Sequence, residues 1–409
     1  MKNLKGRCIF AQSGGPTAVI NASLAGCVTE ALSRPEITGV LVAKHGVKGV
    51  IAEDLYDMSK ESQTELQALK HTPAMAFGSV RYKLKRYTED DTDYKKLLAV
   101  FKKYDVRYFF YNGGNDSMDT CAKISEYMSA SGYDVNVIGI PKTIDNDLVG
   151  TDHCPGYASA AKYIATSTAE VALDAGIYES PLVIILEIMG RNAGWLAAAA
   201  SISTDTGYGA DLVYLPEVPF DNDKFISDVK NVLSKKVCCV VAVSEGIKRE
   251  NGKYVGEDDA DKDVFGHTKL GGVCGYLKNV VTQKIGAKCK AIEFNILQRS
   301  AAHIASETDA NEAFEVGRQA VLHAVSGETG KMISIVRTGN YSVRYDAADL
   351  SVCANAEKQV PREWINEDGN GLTEEFKNYL RPLIIGENPV RYENGLPSYA
   401  KLKKIKFEI

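Results

Sequence analysis

The sequence predicts an α/β protein with two three-layer αβα domains, each built on a mostly parallel sheet. Three observations lead to this prediction. Short apolar runs alternate with longer segments of helical periodicity. The run at residues 182–186 is continuously apolar, as expected of a strand that is buried on both faces. The alternation covers roughly 300 residues, which is more than one doubly wound domain usually holds.

The elements follow one another in a regular order. The apolar residues 8–11 predict the first strand, and Ile20, Leu24 and Cys27 then mark one face of a helix. By the same criteria, strands are predicted at 107–111, 135–140, 182–188, 212–215, 237–243, 292–297 and 332–336, and helices at 118–128, 158–175, 193–202, 222–233, 272–284 and 312–325. From about residue 337 the pattern weakens, because Asn340, Pro361 and Gly369 interrupt it.

Composition excludes several classes of function. The 409 residues carry a formal net charge of −5, which argues against binding to a nucleic-acid backbone. No apolar run approaches the ~20 residues that span a bilayer, and the first residues lack a signal-peptide core. The nine cysteines show no metal-binding or paired spacing, so we expect buried, reduced thiols. We therefore expect a cytoplasmic protein without a membrane or nucleic-acid partner.

Five polar clusters, rich in glycine, carboxylates or cations, each follow an apolar run directly. They occupy residues 13–17, 112–117, 141–147, 189–194 and 244–246. In a parallel sheet such positions lie at the carboxyl ends of the strands, where open α/β sheets bind their ligands. Each cluster alone is compatible with a simple turn or helix cap, but five on one edge favour a binding site.

The chemistry of these clusters favours phosphoryl transfer. Gly14-Gly15 and Gly113-Gly114 each precede a helix, whose N-terminus offers N–H groups to an anion. The clusters add carboxylates and a few cations, but no phosphate-binding loop of the nucleotide triphosphatase type and no Ser–His–Asp set. Positioning and charge stabilisation with Mg²⁺ account for most of the catalysis of phosphoryl transfer.

At these residues the sequence resembles the phosphofructokinase family over about residues 7–330. The motifs that carry the resemblance are Pro-Lys-Thr-Ile-Asp-Asn-Asp at 141–147 and Met-Gly-Arg-Asn-Ala-Gly-Trp at 189–195. The resemblance implies two Rossmann-like domains with the active site in the cleft between them. We expect a phosphoryl-donor domain at 1–156 with 298–336, a fructose 6-phosphate domain at 157–297, and an extension at 337–409 packed on the sugar domain.

Two positions indicate the phosphoryl donor. ATP-using members of the family typically carry Gly-Gly-Asp-Gly-Ser and Pro-Gly-Thr-Ile-Asp-Asn-Asp, and this chain has Asp116 and Lys142 in place of two of those glycines. Pyrophosphate-dependent members share this pattern. A carboxylate at the place of the α-phosphate of ATP repels it, whereas pyrophosphate stops short of that position. A lysine adds a cation beside the transferring phosphates.

The resemblance implies a role for each matching residue. Asp145 is expected to be the general base, acting with Lys142 and Asp116 in the catalytic set. The residues implied for binding are Gly14, Gly15 and Arg81 for pyrophosphate, and Thr143, Asp145, Met189, Gly190, Arg191, Glu245 and Arg299 for fructose 6-phosphate. Asn115 replaces the family's metal-side aspartate, so we expect it to reach Mg²⁺ directly or through water, with Asp147 supporting the same network.

The resemblance therefore implies reversible phosphorylation of fructose 6-phosphate by pyrophosphate, by a homo-oligomer for which we favour a dimer. Arginines from a neighbouring subunit are missing at the matching positions, Leu182 and Lys290. Two alternatives remain open at this point: an ATP-dependent phosphofructokinase, and a non-catalytic regulatory subunit that binds sugar phosphates.

Overall fold

Two parallel-rich sheets organise the chain. The computed structural model describes residues 4–256, 272–354 and 356–408. The strands are β1 (Gly6–Gln12), β2 (Ile37–Ala43), β3 (Leu55–Asp57), β4 (Val106–Gly113), β5 (Asn136–Pro141), β6 (Leu182–Ile188), β7 (Leu212–Tyr214), β8 (Cys238–Ser244), β9 (Lys288–Glu293), β10 (Lys331–Gly339), β11 (Ser342–Asp349), β12 (Arg391–Glu393) and β13 (Leu396–Ser398). The first sheet has the order β11-β10-β5-β4-β1-β2-β3, the second β7-β8-β6-β9, and β12-β13 form a separate hairpin.

Helices cover both faces of each sheet. They are α1 (Ile20–Ser33), α2 (Gly46–Ile51), α3 (Gln63–Leu69), α4 (Thr92–Lys103), α5 (Asn115–Ala130), α6 (Tyr157–Ala175), α7 (Trp195–Ala199), α8 (Asn222–Leu233), α9 (Val273–Lys284), α10 (Leu297–Ser300), α11 (Glu307–Val325), α12 (Leu350–Cys353) and α13 (Glu374–Leu380). Short 3₁₀ segments lie at Met58–Lys60, Ala200–Thr206, Ala302–Ile304, Arg362–Trp364 and Arg381–Ile384. None of the described helices is long and apolar enough to cross a membrane.

Alternating side chains along the central strands produce the three layers. In β4, Phe109 packs with the core on the α4 and α5 side, and its neighbour Phe110 packs with the core on the α1 and α11 side. In β6, Ile184 faces the α6 and α7 side, and Ile185 faces the α8 and α9 side. Successive residues of a strand point to opposite faces, so both faces of each sheet are buried. The prediction of an α/β fold with mostly parallel sheets is confirmed.

Two sequence expectations need correction. The strand predicted at 292–297 ends at Glu293, because Asn295 adopts a left-handed backbone conformation (φ 41°) and residues 297–300 form a helix.

The expectation that the whole extension, residues 337–409, packs on the second domain is wrong for the part that contains β11. Strand β11 pairs antiparallel with β10 and completes the first sheet. It is an edge strand with partly exposed faces, so its sequence lacks the apolar run of a buried strand.

The rest of the extension touches both cores. Phe376 and Leu380 of α13 are buried in the core between the second sheet and α6. Phe407, near the end of the chain, packs instead against the first sheet's core on the α4 and α5 side. The extension therefore spans the two sheets. All nine cysteines lie in described parts of the chain and are unpaired, and eight of them are buried.

Helices α1 and α11 pack with their backbones close together. A Cβ atom built on Gly26 of α1 would lie 1.9 Å from the carbonyl oxygen of Phe314, and one built on Gly317 of α11 would lie 2.1 Å from that of Ser23. Both distances are far inside van der Waals contact. Glycine at these two positions therefore allows α11 to lie against α1 on one face of the first sheet.

A buried charge network supports the loop between β5 and α6. His153 is 1% exposed, and its Nδ1 and Nε2 atoms lie 2.8 Å from Asp152 Oδ1 and 2.6 Å from Glu312 Oε2. Arg337 of β10 donates to the same Asp152 oxygen at 3.0 Å, and the hydroxyl of Tyr341 contacts Glu312. Burial alone would lower the pKa of His153, but its hydrogen bonds to the carboxylates of Asp152 and Glu312 raise the pKa above its ordinary value of 6.5.

We expect Gly26→Ala to lower the free energy of unfolding by about 1–3 kcal/mol or more, because the added methyl group cannot fit against the Phe314 backbone. Denaturant titration measures the change. Gly275→Ala in α9 is the matched control, since no atom of the described residues lies within 4 Å of its added Cβ. We expect that variant to gain about 0.5–1 kcal/mol from the higher helix propensity of alanine. Equal stability of the two variants would contradict the close contact.

The His153 network predicts a pH-dependent contribution to stability. Because the folded-state pKa is raised, the stabilisation is fully present below the ordinary value of 6.5 and is lost as pH rises through the folded-state pKa. We therefore expect the difference in free energy of unfolding between wild type and His153→Gln to shrink as pH rises. Denaturant titrations across this range measure it. The exposed His303→Gln is the control substitution. A His153 difference that stays constant with pH would argue against the charged network.

Candidate active site

The five polar clusters lie at the carboxyl ends of their strands. In the first sheet, Ser13 N donates to Asn112 O at 2.9 Å and Lys142 N donates to Gly113 O at 3.0 Å, so the loops after β1, β4 and β5 are adjacent. In the second sheet, Glu245 N donates to Ile188 O at 2.9 Å, which joins the loops after β6 and β8. Parallel topology therefore gathers each set of clusters at one sheet edge.

Two cations approach the glycine turn after β1. Gly14 has a left-handed backbone (φ 80°), and a Cβ built on it would lie 3.0 Å from Lys142 Nζ. One built on Gly15 would lie 3.1 Å from Arg299 Nη1. Lys142 Nζ also donates a hydrogen bond to Gly15 O at 2.7 Å. The absence of side chains at Gly14 and Gly15 keeps this space open beside a lysine and an arginine, as a site for a phosphorylated anion requires.

Lys142 is a buried cation. The residue is only 4% exposed, and burial lowers the pKa of its ammonium group to about 8. The carboxylates of Asp145 and Asp147 act in the opposite direction, while the positive charge of Arg299 lowers the pKa further. A lysine in this setting is poorly hydrated, so its charge interacts strongly with an anion that reaches it.

The carboxylates of Asp145 and Asp147 flank an anchored turn. Asn146 between them is fully buried and has a left-handed backbone (φ 55°). Its Oδ1 accepts from Cys154 N at 2.9 Å, and its Nδ2 donates to the hydroxyl of Tyr379 at 2.9 Å. Asp145 N donates to Thr143 Oγ1 at 3.1 Å. These bonds fix the turn and leave both carboxylates partly exposed.

Both carboxylates hold protons more tightly than usual. Burial raises the pKa of Asp145, although the charge of Lys142 opposes this effect. Burial also raises the pKa of Asp147 to about 7, and the negative charges of Asp145 and Glu357 add to the rise. A carboxylate with a raised pKa is a stronger base than an exposed one, which suits it to accept a proton near neutral pH.

Asn115 and Asp147 offer oxygen atoms to a hard cation. Asn115 Nδ2 donates to Asp147 Oδ2 at 3.0 Å, which orients the amide. The other amide atom, Asn115 Oδ1, is buried and has no hydrogen-bond partner in the described part of the chain. An unsatisfied buried acceptor is costly, and Mg²⁺ prefers oxygen ligands. The chemistry of Asn115 and Asp147 therefore fits a divalent cation.

Asp116 and Arg81 lie at the margin of the site. Asp116 is exposed in the first turn of α5, directly after Gly113 and Gly114. Arg81 is exposed as well. Burial lowers the pKa of Arg299, and the positive charge of Arg81 lowers it further. Arg81 and Arg299 thus bring positive charge to the same side of the glycine turn.

The second sheet contributes the opposite wall. Gly190 has a φ of 138°, its N–H donates to Glu245 Oε1 at 3.4 Å, and its carbonyl accepts from the hydroxyl of Ser244. Burial raises the pKa of Glu245 to about 7, and the negative charge of Asp145 contributes to the rise. Met189 and Arg191 on either side of Gly190 are half-buried. Glu245 and Asp145 interact across the cleft, so residues from both sheets face one site.

Two residues at the site were missed by sequence reasoning. Gln298 is 1% exposed, and its Oε1 accepts from Met189 N at 3.4 Å, which ties the helix of Arg299 to the loop after β6. Glu357, from the C-terminal extension, accepts from Asn192 Nδ2 at 3.0 Å. Neither belongs to a motif, and Glu357 lies far from the other site residues in sequence. Only the fold brings them to the cleft.

Leu182 and Lys290 match the positions at which other family members supply arginines from a neighbouring subunit. Neither residue contributes to this site. Leu182 is buried in the core beneath α6, at the start of β6, whereas the cleft lies beyond the other end of that strand. Lys290 lies on β9, with its ammonium group 5.6 Å from the centre of the Tyr178 ring.

Comparisons with known proteins agree with this geometry. The family model described as phosphofructokinase matches residues 7–324. A Halomonas elongata protein named pyrophosphate–fructose 6-phosphate 1-phosphotransferase is 45% identical over 405 residues, which cover 98% of this chain and 96% of the relative.

Solved structures agree over nearly the whole chain. The crystal structure of a pyrophosphate-dependent phosphofructokinase from Nitrosospira multiformis is 40% identical, with a TM-score of 0.91, and the match covers 99% of this chain and 98% of the other. That of the Marinobacter aquaeolei enzyme of the same name is 42% identical, with a TM-score of 0.89 and the same coverage. The family model, the near full-length relative and the shared fold lead to one conclusion: this chain is a member of the phosphofructokinase family.

Proposed function

We propose that the chain transfers a phosphoryl group reversibly from pyrophosphate to the 1-hydroxyl of fructose 6-phosphate, giving fructose 1,6-bisphosphate and phosphate. The observation that carries the proposal is the pair formed by Lys142, which contacts the glycine turn after β1, and Asp116, at the start of α5. The names of the Halomonas, Nitrosospira and Marinobacter relatives support it. Reversibility follows from the donor, because pyrophosphate hydrolysis releases less free energy in the cell than ATP hydrolysis.

The donor preference has an electrostatic basis. Lys142 contacts the glycine turn that would hold pyrophosphate, and its buried charge is available to the transferring and leaving phosphates. Asp116 stands exposed at the start of α5, where the α-phosphate of ATP would extend. At about 4 Å, two like charges repel by roughly 4 kcal/mol at an effective dielectric constant of 20. Pyrophosphate ends before this position and avoids the repulsion.

Asp145 is the proposed general base. It accepts the proton of the sugar 1-hydroxyl while that oxygen attacks the terminal phosphorus of pyrophosphate, and the bond to the leaving phosphate breaks. The hydrogen bond from Asp145 N to Thr143 Oγ1 helps to orient the loop for this role. Lys142 and Arg299 stabilise the negative charge of the phosphoryl oxygens and of the departing phosphate.

The sugar side of the proposal uses the second sheet. Glu245 would accept hydrogen bonds from sugar hydroxyls, and Met189, Gly190 and Arg191 would line the fructose 6-phosphate site. Arg299 keeps its proposed contact with the sugar phosphate. Because Arg299 also lies beside Gly15, we propose that it contacts the transferring phosphoryl group as well.

Mg²⁺ is the proposed cofactor, and Asn115 and Asp147 are the residues that would hold it. When bound, Mg²⁺ neutralises part of the charge of pyrophosphate and orients its oxygens. We further propose a cytoplasmic homo-oligomer, with a dimer favoured.

The two alternatives have less support. An ATP-dependent enzyme is disfavoured by Asp116 and Lys142. A non-catalytic regulatory subunit would be expected to lose its base or its glycine turn, whereas this chain keeps Gly14, Gly15 and Asp145. We therefore retain the catalytic proposal.

We expect turnover of fructose 6-phosphate with pyrophosphate and Mg²⁺, and little or none with ATP, in a coupled assay of the purified chain. The double variant Asp116→Gly with Lys142→Gly is expected to lose pyrophosphate use, because the buried cation is gone, and to admit ATP more readily. Robust ATP turnover without pyrophosphate turnover in the wild type would refute the proposed donor. Unchanged pyrophosphate kinetics in the double variant would refute the roles of these two residues.

We expect Asp145→Ala to lower kcat by about 10²–10⁴-fold, the usual contribution of a general base, while fructose 6-phosphate binding stays largely intact. Steady-state kinetics and titration calorimetry with fructose 6-phosphate measure the two effects separately. Asp368→Asn, in an exposed turn of the extension, is the matched control with wild-type kinetics. A loss of sugar-phosphate affinity at unchanged kcat would contradict the role of a base.

A further inference from the structure

A short segment of the C-terminal extension lies between the two motif loops of the cleft. We call residues 357–360 the strap. It follows β11 and α12 along the chain, and it lies beyond residue 324, where the match to the family model ends. The role of the strap described here rests on the proposed function.

On one side the strap is bound to the loop between β5 and α6, residues 142–156, which carries the proposed base and which we call the base loop. Glu357 forms an antiparallel bridge with Leu148, and Lys358 N donates to Asp147 O at 2.7 Å. The ammonium group of Lys358 donates to Asp152 O at 2.6 Å and to Thr151 O at 3.2 Å. The bridge and the bond from Lys358 N use main-chain atoms of the strap, so they do not depend on the side chain of Glu357.

On the other side the strap is bound to residues 189–195 after β6, which we call the sugar-side loop. Glu357 Oε1 accepts from Asn192 Nδ2 at 3.0 Å, and Gln359 Nε2 donates to Asn192 O at 3.4 Å. The indole nitrogen of Trp195 donates to Lys358 O at 2.8 Å. Asn192 is the next residue after Arg191, which is proposed to bind fructose 6-phosphate. The strap therefore connects the base loop of the first sheet with the sugar loop of the second.

One further link uses a shared carboxylate. Glu217 Oε1 accepts from Gly194 N at 2.8 Å and from Val360 N at 3.0 Å. Glu217 thereby joins the end of the sugar-side loop to the end of the strap. Every residue of the strap thus makes at least one hydrogen bond to the sugar-side loop or to Glu217.

The contact of Glu357 with Asn192 needs an explanation. Glu357 is exposed, so it does not fill the core. Its negative charge raises the pKa of both Asp145 and Asp147, which shows that it adds to an already acidic cleft. Extra negative charge is unfavourable for anionic substrates, so a role as a direct substrate ligand is poorly matched. An acceptor for the Asn192 amide is the function that its geometry supports.

We propose that Glu357 is a positioning residue, which holds Asn192 and with it the Met189–Arg191 part of the sugar-side loop in register with the base loop. The strap, and not the rest of the C-terminal extension, then helps to hold the sugar-binding residues in place. Because the main chain of the strap remains paired with the base loop in a side-chain variant, the loss of Glu357 should loosen the sugar-side loop only.

The test uses the full chain with pyrophosphate, Mg²⁺ and fructose 6-phosphate. We expect Glu357→Ala to raise the KM for fructose 6-phosphate by about tenfold, the usual effect of losing a hydrogen bond to a charged group, with kcat and the KM for pyrophosphate within about threefold of wild type. Glu357→Gln keeps an acceptor oxygen for Asn192, so it should restore the KM. Glu393→Ala, on the exposed hairpin β12-β13, is the matched control with wild-type kinetics.

A double-mutant cycle with Asn192→Ala isolates the contact. If the two residues act through one hydrogen bond, each single variant and the double variant should raise the KM for fructose 6-phosphate equally. Additive effects, an unchanged KM in Glu357→Ala, or an equal rise of both KM values would overturn the positioning role. A wild-type chain without pyrophosphate-dependent turnover would instead refute the proposed function, and calorimetric titration of the same variants with fructose 6-phosphate would then decide the role of the strap.

Discussion

The burial of the Lys142 ammonium group is the constraint on which the rest of the site depends. A cation removed from water is costly unless nearby negative charge or hydrogen bonds compensate it. Here Asp145, Asp147 and the carbonyl of Gly15 compensate it. Burial raises the pKa of both carboxylates although the charge of Lys142 opposes the rise, so one buried arrangement supplies both a concentrated cation and a base of raised pKa. The anion-binding and proton-accepting groups cannot be changed independently.

Parallel topology explains why so few residues suffice. The carboxyl ends of β1, β4 and β5 bring the glycine turn, the start of α5 and the base loop together without long loops. The second sheet does the same for Gly190 and Glu245. The net charge of the chain is negative, yet the cations of the site are gathered at one place, so average composition says little about the substrate.

Much of this could be predicted from the sequence. The apolar runs of β1, β4, β5, β6 and β8 and the polar clusters behind them identify the fold class and most candidate residues, because buried parallel strands leave a clear pattern. Strand β11 could not be found in this way, since an edge strand with partly exposed faces lacks that pattern. Gln298 and Glu357 could not be found either. Their importance comes from contacts made by distant parts of the chain, which no local motif records.

The position of β10 beside β5 has a consequence for how the chain is made. Lys331 pairs with Ile138, although the whole second sheet lies between them in sequence. During synthesis the first sheet cannot be completed until the second has left the ribosome. Until then, β5 presents an open, apolar edge of the kind that pairs with other strands. Once it is made, β10 covers this edge of β5 and removes a site for pairing with other chains, besides completing the fold.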